Sequence, residues 1–146
     1  MTNIKDIAEV LKDINEDNFP ILVRDLCAIN KDLITDELIK VPSVYAYWAG
    51  ILTLVKKNRD LQELRLTSTG AALRKKYKEE SGSKLTAKDL DDLVLSNTEY
   101  RDIQEEYIKK SNNYDMIKAL VEALQHKKDM LVQLSANQRA ESNLYK

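Results

Sequence analysis

Few side chains in this sequence can do covalent or acid–base chemistry, and their spacing argues against a catalytic site. There is one His and one Cys in 146 residues. His126 lies in Leu124-Gln125-His126-Lys127-Lys128, with no Cys, Asp or Ser at a motif spacing around it. It reads as a surface or packed helical residue. Cys27 sits between Leu26 and Ala28 and reads as a buried structural thiol. The pairs Asp91-Asp92 and Glu105-Glu106 are adjacent, and consecutive side chains on a helix point to different parts of its surface. A single His and a single Cys cannot furnish a zinc site. No run resembles the GxxxxGK or GxGxxG loops that cradle phosphates. The expectation is a protein that is not an enzyme and uses no metal or cofactor.

What remains is electrostatic chemistry. The formal net charge is -1, but it is segmented along the chain. Residues 56–78 hold eight basic and two acidic residues, a net +6, whereas residues 1–55 carry −4, residues 79–106 carry −6 and residues 107–146 carry +3. Local field rather than total charge decides whether a polyanion binds. The densest basic stretch is Arg74-Lys75-Lys76-Tyr77-Lys78, with Lys57 and Arg59 upstream. Cations beside a ring can form a platform for single-stranded bases, so Tyr77 is either such a platform or a packed seam residue. Tyr45, Tyr47 and Trp48 open the long helix, two turns before Lys56 and Lys57 as counted from Trp48, and Trp48 reads as a packing anchor.

These groups must be positioned by helices. Gly (3) and Pro (2) are too scarce for sheet turns, which excludes sandwiches and barrels. A lone Cys excludes an internal disulfide and fits a reducing cytoplasm. The longest uncharged run, Val41 to Val55, is short for a bilayer and carries Pro42, Ser43, Gly50 and Thr53, so no membrane span is expected. MTNIKDIAEV lacks the pattern of a secretory signal. Ile4, Ile7, Ala8 and Leu11 predict a helix from Asn3 to about Ile14. Pro20 opens a second, a short turn spans Asp36 to Lys40, and Pro42 opens a long helix reaching about Glu80. Gly82 suits the end of that helix. Thr86 and Asp89 start a short helix. Ser96-Asn97-Thr98-Glu99 has the capping-box pattern and predicts a final helix from Thr98 to about Glu141.

Two long helices joined by a short connection form an antiparallel hairpin. Ile103, Tyr107, Tyr114, Ile117, Val121, Leu124 and Leu131 make one seam, with Lys110 and Lys128 interrupting it. Tyr45, Trp48, Leu52, Val55, Leu66 and Leu73 make the facing one, with Arg59 and Gln62 interrupting. The fold class is therefore all-α: a long antiparallel hairpin (residues 41–146) with coiled-coil-like packing, and short N-terminal helices (residues 1–40) forming one structural unit with it. Apolar faces left uncovered predict self-association.

Ala72-Leu73 leading into Arg74-Lys75-Lys76-Tyr77-Lys78 and then Ser81-Gly82 resembles a stretch in UvsY-type phage recombination mediators. The layout over residues 43–141 is similar too: an aromatic-rich helix start, a long basic helix, a connector, and a long last helix with late basic residues. The resemblance implies a non-enzymatic helical homo-oligomer, a ring, in the cytoplasm of a bacterial host. It implies that such a protein binds single-stranded DNA and helps a RecA-like recombinase assemble on strands coated with single-strand-binding protein. The positions matching strand binding are Arg74 and Lys76; Lys75 and Lys78 extend the patch, and Lys57 and Arg59 add to the same basic helix. The segment from Met1 to Lys40 has no counterpart in that pattern. The alternative is a helical adaptor, scaffold or assembly chaperone, in which the same cations only solubilise one face.

Overall fold

The computed structural model describes residues 7–146, and among them there is no strand. Five α-helices follow one another: α1 (Ile7–Asp13), α2 (Phe19–Cys27), α3 (Ile34–Ser81), α4 (Ala87–Ser96) and α5 (Thr98–Leu144). Single 3-10 turns at Lys31–Leu33 and Gly82–Lys84 precede α3 and α4. The chain divides into two compact units. One joins the described residues up to Leu54 with Asp115–Lys146, and the other is Val55–Tyr114. Helices α3 and α5 contribute to both.

Residues 3–6 of the expected first helix lie outside the described residues. The break after α1 is made by asparagines. Asn15 Oδ1 accepts from the backbone N–H of Asp17 and Asn18, and Asn18 Nδ2 donates to the Asp13 carbonyl. These local bonds compete with helix continuation. Pro20 lies in the first turn of α2, where its missing N–H costs nothing.

Helix α3 does not begin at Pro42. It begins at Ile34 and carries Pro42 inside. A proline within a helix forfeits one backbone bond and costs about 3 kcal/mol. The turns before it are held by packing instead: Ile34 and Val41 are buried with Leu131, and Ile29, Leu38 and Leu134 pack around them. Full burial of an aliphatic side chain is worth about 1.5–3 kcal/mol, so two such residues outweigh the lost bond. Elsewhere in this unit Trp48, Ile51, Ile117, Leu120, Val121 and Leu124 are buried. Lys127 ties three elements together. Its Nζ lies 2.7 Å from Glu37 Oε2 on α3 and donates to the Leu26 carbonyl on α2 at 2.9 Å.

In the Val55–Tyr114 unit the core is Val55, Leu73, Val94 and Ile103. Antiparallel pairing of α3 with the start of α5 is fixed by two polar contacts. Gln62 Nε2 donates to the Ile103 carbonyl (3.1 Å), and Asn97 Nδ2 donates to the Tyr77 hydroxyl (3.0 Å). Gly70 is buried where the Tyr100 ring crosses α3, so close that an added Cβ would stand 3.2 Å from Tyr100 Cε2. Gly82, at φ 65°, turns the chain out of α3. Thr86 and Asp89 form the reciprocal capping box that starts α4. The start of α5 differs from the sequence pattern. Asn97, in extended conformation, accepts from the Tyr100 N–H, while Ser96 is still the last residue of α4 and donates to the Leu93 carbonyl.

Residues 31–81 contain an 18-residue window of mean hydropathy 1.4, so by length and composition this helix is apolar enough to cross a membrane. The charge-free run from Val41 to Val55 understates that property. Within the run, Val41, Trp48, Ile51 and Val55 are buried against protein.

Candidate nucleic-acid interface

The basic residues singled out in the sequence lie on the second half of α3, and helical phase sends them in different directions. Arg59 points to the α5 side. Its guanidinium lies 4.0 Å from the centroid of the Tyr114 ring, and its Nε and Nη2 donate to Asp60 Oδ1 at 3.1 and 2.9 Å. The bond to Asp60 holds Arg59 above its ordinary range. The Arg59 guanidinium is thus engaged by the Tyr114 ring and the Asp60 carboxylate, contacts that a phosphate has to compete with. Sequence proximity to Lys57 gives no sign of this, because helical residues two apart differ by about 200° in direction.

Arg74 faces α4, where its Nη2 pairs with Asp91 Oδ1. Both side chains remain about half exposed. Lys76 is 4.0 Å from Glu80 one turn on, an exposed pair worth little. The side chains of Lys75 and Lys78 are exposed and make no hydrogen bond or ion pair with any other described residue. Lys57 is exposed as well, but it stands five helical turns before Lys75, roughly 27 Å along the helix at about 1.5 Å per residue. The structure therefore brings Lys75, Lys76 and Lys78 to one helix end with Arg74 beside them, and it does not bring Lys57 or Arg59 to that group.

Tyr77 is half-buried, with its hydroxyl accepting from Asn97, so the ring belongs to the seam and is no open stacking platform. Trp48 is buried, as expected of a packing anchor, with Tyr47 meeting it edge-on at 5.2 Å. Cys27 is half-buried, and burial pushes its thiol up, partly offset by the Lys127 charge. His126 is exposed on α5. Among the described residues no group of three His, Cys, Asp or Glu side chains could hold a metal ion. Two residues that matter here do not stand out in the sequence. Asp91 is visible there only as half of an adjacent acidic pair. Arg65 is exposed, has no partner among the described residues, and is marked in the sequence only by following Lys57 at a helical spacing of two turns.

The fold and this cluster define a class: an all-α protein in which two long helices pair antiparallel within each unit and a basic helix end is presented beside a short acidic helix. A solved structure of similar fold is the crystal structure of the bacteriophage T4 recombination mediator protein UvsY, with a TM-score of 0.69 over 88% of this chain and 99% of that one and 12% sequence identity. At that identity the likeness is one of fold. It spans more of the chain than residues 43–141 and so takes in part of the segment Met1 to Lys40, which the sequence pattern leaves without a counterpart. No family model and no curated protein sequence matches the chain.

Proposed function

We propose that this protein is a recombination mediator. It binds single-stranded DNA through Lys75, Lys76 and Lys78, with Arg74 available once a phosphate competes with Asp91. It acts as a homo-oligomeric ring and promotes assembly of a RecA-like recombinase on strands coated with single-strand-binding protein. The observation that carries this reading is the likeness of fold to the T4 mediator over 99% of the chain in that crystal structure, together with a basic cluster left at the end of α3. Three or four phosphate contacts per copy bind weakly and lose affinity steeply with salt. Repetition around a ring raises the effective concentration of sites without any new contact. No bond-making chemistry is required of the protein, in keeping with its side chains.

The test is fluorescence anisotropy of a labelled oligo-dT strand titrated at low and physiological salt, with mass measured by light scattering on the same sample. Salt-sensitive binding by an oligomer supports the mediator. A folded oligomer that leaves the strand free at low salt overturns it. The Arg74–Asp91 pair favours a second reading, a helical adaptor whose cations serve its own fold. That reading gains if strand affinity is unchanged when Lys75 and Lys78 are both replaced by Ala.

A further inference from the structure

The Val55–Tyr114 unit carries two exposed faces of opposite charge, each with leucines at its centre. On α3, Lys57, Leu61, Leu64 and Arg65 fall at successive spacings of four, three and one, which places them on one side of the helix. That side is turned away from Val55, Gln62 and Leu73, which are buried. Leu61 is 55% and Leu64 64% exposed. Neither Lys57 nor Arg65 has an ion-pair partner among the described residues.

On α4, Val94 is buried, Leu90 is half-buried and Asp91 pairs with Arg74 on the same side. The opposite side, with the preceding Leu85, forms a shallow groove of about 340 Å³ lined by Leu85, Asp89, Asp92, Leu93 and Ser96. Asp92 is exposed and without a partner among the described residues, and Asp89 is kept ionised by its cap. The two faces match in length. Residues 57–65 cover about 12 Å of α3, and α4 (Ala87–Ser96) covers about 14 Å at about 1.5 Å per residue. They match in charge, within segments of +6 (56–78) and −6 (79–106).

We infer that the groove on α4 of one copy receives the Lys57–Leu61–Leu64–Arg65 face of α3 of a second copy, burying Leu61 and Leu64 against Leu85 and Leu93 and setting Lys57 and Arg65 against Asp92 and Asp89. The α3 face of the same copy does not fill the groove, because α4 meets its own α3 through Asp91, on the other side of the helix, and a second copy brings a face of matching charge and leucines. DNA does not satisfy the same surfaces. Phosphates are repelled by Asp89 and Asp92, and a sugar–phosphate strand leaves the leucines uncovered. Two different faces in contact make a heterologous interface, which repeats head to tail and closes into a ring when its rotation allows. The contact leaves Lys75, Lys76 and Lys78 free for a strand. It deepens the reading given above, since it says where a mediator's ring is joined.

The test is a charge swap read by light scattering, with helix content checked by circular dichroism. Arg65→Glu and Asp92→Lys each place like charges across the contact, and each weakens self-association about tenfold or more. The combined Arg65→Glu/Asp92→Lys variant restores opposite charges and returns the wild-type mass. Leu64→Gln, which removes apolar surface without adding charge, also lowers the mass. Single variants with wild-type mass, a combined variant no better than its parents, or a wild-type chain of 16.8 kDa at all concentrations overturns the interface. Oligo-dT binding is followed on the same samples. Rescue of mass without any strand binding retains the interface and removes the mediator; strand binding with unmoved masses does the reverse.

Discussion

Gln62 on α3 donates from Nε2 to the backbone carbonyl of Ile103 on α5, 3.1 Å away and 41 residues on in sequence. Gln62 is the one buried polar residue of the described core, and its Oε1 accepts from Lys110 Nζ at 3.4 Å. A polar residue that finds its partners at one offset only favours that offset over slipped ones, as polar residues at coiled-coil core positions do. Replacement by Ala removes side-chain volume and both bonds, and lowers the free energy of unfolding by about 1–3 kcal/mol. Replacement by Leu keeps the volume, changes stability by less than about 1.5 kcal/mol, and relaxes the pairing. Urea unfolding separates the two: a large loss for Gln62→Leu would show that the hydrogen bonds dominate over the packing.

The cap of α4 responds to acid. Asp89 is held below the usual carboxylate range, first by the Thr86 backbone N–H and then by the Thr86 side chain. A group whose folded value is depressed contributes stability that is fully present above its unfolded value and is lost as pH falls through the folded one. The stability difference between wild type and Asp89→Asn is therefore constant at neutral pH and vanishes only below the ordinary value of 3.8. Thr86→Ala removes the acceptor for the Asp89 N–H and costs about 1 kcal/mol. Amide exchange across Ala87–Ser96 reads both. A difference that disappears well above about pH 4 contradicts the assignment.

How far the sequence can be read depends on whether the decisive contact is local. The Thr86–Asp89 cap, the turn at Gly82 and the helix spans around them follow from neighbours within a few residues, and they are legible. The start of α3 is not, because Leu131, far away in sequence, supplies what carries the helix back through Pro42 to Ile34. Ile51 and Leu120 are buried although the three-four pattern passes over them, since the seam is wider than one stripe. In the candidate site the cluster Lys75, Lys76 and Lys78 is legible as composition. That Arg59 stacks on Tyr114 and Arg74 meets Asp91 depends on helical phase and on partners distant in sequence.

Lys127 and Lys128 are neighbours with different fates. The Lys127 side chain is 10% exposed and holds both Glu37 and the Leu26 carbonyl, whereas Lys128 is exposed and bonded to no described residue. Lys127→Ala leaves a largely covered carboxylate and a carbonyl without their donor, which costs about 2–4 kcal/mol. Lys128→Ala changes stability by less than about 0.5 kcal/mol. Glu37→Gln with Lys127→Met removes both charges and recovers part of the loss. Thermal unfolding of the variants orders them, and equal midpoints for the two Lys→Ala changes would show that the bridge does not contribute.

On the proposed mediator reading, Asp91 sets how much of the basic cluster is open to a strand. Its carboxylate pairs with Arg74 while both side chains are about half exposed, a setting in which ion pairs are worth about 0.2–1 kcal/mol. A phosphate must displace that contact before Arg74 contributes. Asp91→Asn removes the competitor and a nearby negative charge, so oligo-dT affinity rises by up to about fivefold, about 1.4 kcal/mol being tenfold. One more phosphate contact also steepens the dependence of log affinity on log salt by about 0.7 for a single strand. Lys75→Ala with Lys78→Ala acts in the opposite sense on both quantities, and it is the larger effect because neither cation is engaged within the fold. Arg74→Ala alone weakens binding least of the cluster. An Asp91→Asn variant that binds with wild-type affinity and salt slope places Arg74 outside the contact and leaves the strand to the three lysines.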